Sequence, residues 1–161
     1  MSTEDLGTYL QDHYAGSVGA VELLDHLIRT YAGEPFEIFF REIQTDITAD
    51  QDELRDLMHA LNVQESGLRN AGAWMVEKFS QVTLGLTREK QGGLGLLQAL
   101  EALVLGITGK QLLWKALAAA MDGSAQLPPI DFARLERRAL EQRDRVEAKR
   151  LETARQTFTS G

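Results

Sequence analysis

Apolar residues recur every three or four positions along four long stretches of the chain. That spacing gathers them on one face of an α-helix. The first stretch runs from about Glu4 to Ala32, with Leu10, Tyr14, Ser17, Val21, Leu24, Ile28 and Tyr31 on its face. The second runs over 36–62 and carries Phe36, Phe40, Ile43, Ile47, Leu54, Leu57 and Leu61, interrupted only by Asp50. The third, 94–121, is apolar on most sides (Leu96, Leu97, Leu100, Leu103, Val104, Ile107, Leu113, Trp114, Leu117), as expected of a central, buried helix. The fourth, 132–157, has a thinner stripe of Phe132, Leu135, Ala139, Val146 and Ala154. No stretch alternates with the period of two that a strand requires.

Turn chemistry agrees with these bounds. Gly33 suits a left-handed helix end, and Pro35 suits the first turn of the next helix, where its missing N–H would have no partner. A link this short makes the first two helices antiparallel neighbours. Pro128 and Pro129 break the chain before Asp131, which is placed to cap the fourth helix. Residues 62–93 are too many for a tight turn and read as a crossover. A shorter helix over 66–82, capped by Ser66 and carrying Leu68, Ala71, Trp74, Met75 and Phe79, is expected within it. The predicted fold is all-α: one domain over 1–161, an antiparallel four-helix bundle with a long, helix-containing crossover between helices two and three.

That layout resembles the ferritin-like superfamily, and the resemblance spans nearly the whole chain. It is similar to small bacterial members of the group that lack a complete di-metal motif. The resemblance implies a di-iron or di-manganese centre where the ligands are present, built from one Glu on each of two helices and a Glu-x-x-His on each of the others. No Glu-x-x-His occurs here. The nearest substitutes are Glu22, His26, Asp50, Glu101, Glu141 and Asp144. Counting outward from the turn near residue 126 puts Glu101 level with Glu152. Glu141 and Asp144 are then offset by about 8 to 11 residues, roughly 12–16 Å. Bridging metal ligands cannot stand that far apart. No metal and no cofactor is expected, with iron or manganese kept as the alternative.

Composition narrows the function classes. Cysteine is absent, which excludes a disulfide framework and thiolate metal sites and suits a cytoplasmic protein. The net charge of −7 is uneven. Residues 1–66 hold 14 acids and 3 bases (−11), whereas residues 134–161 hold 5 acids and 8 bases (+3). An acidic first half opposes general nucleic-acid binding, and the mixed charges of the tail suit a helix face attracted to the acidic end. Glu101, Lys110 and Lys115 interrupt the most apolar stretch. Its uncharged parts fall short of the ~20 residues of a membrane span.

Two groups of residues could carry a site. Asp46, Asp50, Lys110 and Arg143 fall near mid-bundle, with Lys110 level with Arg143 by the same counting, and Gln111 and Gln142 beside them. Buried charges must be paired, so Asp46 or Asp50 is expected to meet Lys110 or Arg143 in a polar layer. Gly16, Gly19, Gly106 and Gly109 are mid-helix glycines that cost roughly 1 kcal/mol each against alanine. Close helix packing is the favoured explanation, and a ligand pocket opened by the missing side chains is the other. No catalytic residues are identified. The leading expectation is a non-catalytic bundle with a structural or protein-interaction role, self-associating or bound to a protein partner. The alternatives are a metal-binding oxidase or iron-handling protein, and a small-ligand binder at the glycine-lined crossing of helices one and three.

Overall fold

The structure is a computed structural model that describes residues 3–65, 93–121, 123–125, 127 and 129–159. Among the described residues it is all-helical, with four helices and no strand: α1 (Thr3–Thr30), α2 (Pro35–Ala60), α3 (Leu94–Met121) and α4 (Phe132–Thr159). The helix expected over 66–82 lies outside the described residues, as does Pro128.

Helix ends follow local chemistry. Gly33, with φ 82°, takes the left-handed conformation after α1, and Pro35 opens α2 at its first position. α2 ends two residues earlier than the apolar stripe suggests, because Asn62 turns left-handed (φ 56°) and the Val63 N–H closes back on the Met58 carbonyl at 2.8 Å. The Asp131 Oδ1 accepts the Arg134 N–H at 3.0 Å and so caps α4.

Contacts between neighbouring helices follow a regular order. Between α1 and α2 and the residues just after it, Gln11 bonds Gln64, Tyr14 bonds Arg55, Ser17 bonds Gln51 and Asp25 bonds Gln44. Between α2 and α4, Glu53 meets Arg134, Asp50 meets Arg138, Asp46 meets Arg145, and Phe36 lies under the Lys149 ammonium. Trp114 of α3 packs on Phe132 of α4, while Lys110 reaches Gln142 further along. In each pair, later residues on one helix meet earlier residues on the other.

The core runs the length of this assembly. It contains Leu10, Leu24 and Leu27 from α1, Phe40, Ile43 and Leu57 from α2, Leu100, Leu103 and Trp114 from α3, and Leu135, Ala139 and Val146 from α4. The face of α1 is wider than its sequence stripe, because Leu23 and Leu27 are buried and Val21 is only partly so. By length and composition α3 alone among the described helices could cross a membrane, a closer case than its charged residues suggest. Twelve of its residues are buried against its neighbours. The α2 seam supplies acids and the α4 seam supplies bases, in the same sense as the uneven charge along the chain. Each exposed pair in that seam contributes about 0–1 kcal/mol.

Candidate functional site

Asp50 stands where α2 would otherwise present another apolar residue to the core, and it is 1% exposed. Its Oδ2 accepts the Lys110 ammonium at 2.6 Å and the Gln142 Nε2 at 2.7 Å. Lys110 also donates to the Gln142 Oε1. The Asp50 Oδ1 accepts no well-aligned hydrogen bond among the described residues but faces an Arg138 guanidinium nitrogen at 3.2 Å. One carboxylate thus joins α2 to α3 and α4 through two cations and an amide. Burial pushes the Lys110 ammonium below its ordinary pKa, and the Asp50 charge and hydrogen bond oppose that shift.

Two of the four residues expected in a polar layer therefore meet, and two do not. Asp46 pairs instead with Arg145 at 2.7 Å, at the bundle edge. Arg143 pairs with its neighbour Asp144 at 3.0 Å, outside the core. The reason is angular. One residue along a helix turns the side chain by about 100°, so being level with Lys110 gives Arg143 the right height and the wrong side. Gln142 and Arg138 take the place. The signal was present, since Phe132, Leu135, Ala139, Gln142 and Val146 recur at steps of three and four. Gln142 lies on that stripe, and Arg138 precedes it by one turn.

The six nearest substitutes for metal ligands are not brought together. Glu22, Glu101, Glu141 and Asp144 are exposed, and Asp50 is engaged by two cations and an amide. His26 is half-buried, and its Nε2 has no partner among the described residues. Among the described residues no three or more acidic or histidine side chains form a group that could hold a metal ion. A di-metal centre does not fit these residues, because Lys110 and Arg138 put positive charge where divalent ions would need carboxylates.

At Gly109 the structure departs from the expected close packing. A cavity of about 420 Å³ opens between α1, α2 and α3, and Gly16, Gly106 and Gly109 are in its wall. A Cβ placed at Gly109 would meet nothing within 4 Å. At that position the missing side chain creates space and does not bring two backbones together. Gly19, by contrast, is buried within α1. Ala20, Ile47, Leu54, Leu103, Ile107 and Leu113 form an apolar interior. Asp12, His13, Ser17, Gln51, Asp50, Lys110 and Trp114 supply the polar groups.

Several of those groups are already engaged. The Ser17 hydroxyl donates to the Tyr14 carbonyl at 2.6 Å and accepts the Gln51 amide at 2.9 Å. His13 stacks edge-on against Tyr9, and burial lowers its pKa against the opposing charge of Asp12. The Trp114 indole N–H is different. It is buried and finds no acceptor among the described residues.

No protein-family model matches the chain, and neither the curated proteins nor the solved structures give a significant match.

Proposed function

We propose that this bundle is a small-molecule binding module whose ligand occupies the cavity between α1, α2 and α3. The observation that carries the reading is the cavity itself: about 420 Å³ of largely apolar space with a few polar groups converging on it. Binding sites for small molecules have that size and that lining. Mid-helix glycines destabilise a helix, and a cavity forgoes the packing that would stabilise a core. A ligand that needs the space offsets both costs. The cavity favours this reading over a purely structural role, and the cationic partners of Asp50 favour it over a metal centre.

The finer fold reading belongs with this proposal. An antiparallel bundle of ferritin-like course needs α1 beside α3, α2 beside α4, and residues 62–93 as the crossover between them. The reversed order of contacts in three helix pairs, and a cavity walled by both α1 and α3, support it. A second role, self-association or docking of a protein partner, is favoured by Leu94, Leu105 and Leu112. These are exposed leucines at helical spacing on α3.

A thermal-shift screen of neutral apolar molecules tests the principal reading, with Gly109→Leu as the plugged control. Stabilisation of the wild type that the plug abolishes is expected. Equal shifts in both proteins would place binding elsewhere. For self-association, Leu112→Glu should reduce the mass seen by light scattering, and a wild-type monomer would remove that role.

A further inference from the structure

Among the described residues the cavity wall holds one cation, Lys110, and two carboxylates, Asp12 and Asp50. The Asp50 side chain is 0% exposed. Both of its oxygens are engaged, by Lys110 and Gln142 on one side and Arg138 on the other. Its Oδ1 accepts no well-aligned hydrogen bond among the described residues, but the Arg138 guanidinium stands against it. Lys110 differs in both respects. Its side chain is 15% exposed, and an ammonium has three N–H donors, of which Asp50 and Gln142 take two. One carboxylate shared between Lys110 and Arg138 leaves this buried cluster with one positive charge more than negative.

Trp114 follows Lys110 by one turn of α3 and lines the same cavity. Its indole N–H is buried and has no acceptor among the described residues. An unpaired buried donor costs about 1–3 kcal/mol, and such groups in native structures call for a partner. The indole nitrogen has no water-accessible surface, so its N–H does not open onto the cavity. Among the described lining residues the one exposed acid is Asp12 on α1, where water screens the charge.

We propose that the ligand of this cavity is a small amphipathic carboxylate, its apolar body among Ile47, Leu54, Leu103 and Ile107 and its carboxylate accepting the remaining Lys110 N–H. A charge-assisted bond from a largely desolvated ammonium is roughly twice as strong as a neutral one. That donor therefore selects an anionic acceptor over a hydroxyl of the same reach. The inference rests on the binding role proposed above and adds the ligand's charge.

The test compares octanoate with 1-octanol by titration calorimetry on the full chain, in wild type, Lys110→Gln, Lys110→Arg and Gly109→Leu. Octanoate is expected to bind wild type at least about tenfold more tightly than 1-octanol, a difference of about 1.4 kcal/mol. Lys110→Gln should remove that preference, Lys110→Arg should keep most of it, and Gly109→Leu should weaken both probes. Octanol binding as well as octanoate, with Gly109→Leu still weakening both, would overturn the carboxylate and leave the cavity as the site. Neither probe binding, or both indifferent to Gly109→Leu, would overturn the cavity reading as well. Should Lys110→Gln not fold, the wild-type ratio of the two probes decides by itself.

Discussion

Replacing Asp50 by leucine removes the one acid of the buried cluster among the described residues while nearly conserving volume. Lys110 would then keep the Gln142 oxygen as its one partner and stand near the like charge of Arg138. Breaking a buried ion pair by deleting one member costs about 3–5 kcal/mol, because the surviving charge stays desolvated. Lys110 and Arg138 remain 15% and 28% exposed, so each has a route toward water, which places the expected loss at the lower end, about 3 kcal/mol. For a chain of this length that corresponds to a fall in Tm of roughly 6–12 °C. The double variant Asp50→Leu/Lys110→Met removes both charges and leaves mainly the Gln142 amide unpaired, at about 1–3 kcal/mol. It should therefore be more stable than Asp50→Leu alone. Urea unfolding followed by helical circular dichroism measures both. An Asp50→Leu protein within 1 kcal/mol of wild type, or a double variant less stable than the single, would mean that Lys110 reaches solvent and that the buried cluster contributes nothing.

Other outcomes follow from the same geometry. Gly109→Ala should stabilise the protein by about 0.5–1 kcal/mol in urea unfolding, since the helix gains a better former and the new methyl meets no atom; a loss would show that the backbones are in contact there. Gly93→Ala should destabilise by about 1–2 kcal/mol, because the position has φ +71° and a Cβ would lie 2.5 Å from the Thr157 Oγ1. Adding Thr157→Ala should recover only the steric part of that loss, and full recovery would remove the backbone argument. Asp46→Ala breaks a pair at the bundle edge and should cost no more than about 1 kcal/mol, well below Asp50→Leu by the same measurement. His13 has its pKa lowered by burial, so the folded state binds its proton less readily than the unfolded chain. Stability should fall as pH drops below the unfolded value of about 6.5. His13→Gln should lessen that fall between pH 7 and 5 in unfolding titrations, and an unchanged profile would mean that His13 is solvated.

The helices were legible because their signal is one-dimensional. The stripe Phe40, Ile43, Ile47, Leu54 and Leu57 repeats with the period of the helix, and those residues are all buried. Pro35 and Asp131 mark helix starts by chemistry that acts within a few residues. Height was legible too, since counting from the turn near 126 brought Lys110 within one residue of Gln142. Azimuth was lost at that step, because a single position turns Arg143 out of the core. The role of Arg138 needs the mutual rotation of α2 and α4, which no local pattern carries. The glycines were legible as an oddity whose meaning was open, because a missing side chain permits either contact or space. Only the facing surfaces of α1 and α3 decide between the two, and at Gly109 they leave space.

The most direct measurement is a methyl-labelled sample titrated with 1-octanol and followed by carbon-proton correlation spectra. If the space between α1, α2 and α3 is a binding site, Ile47, Leu54, Leu103, Ile107 and Leu113 shift together and saturate with one dissociation constant, while Leu135 and Val146 on α4 stay still. Shifts that begin instead at the exposed Leu94, Leu112 and Leu151, or that drift without saturation, would contradict it.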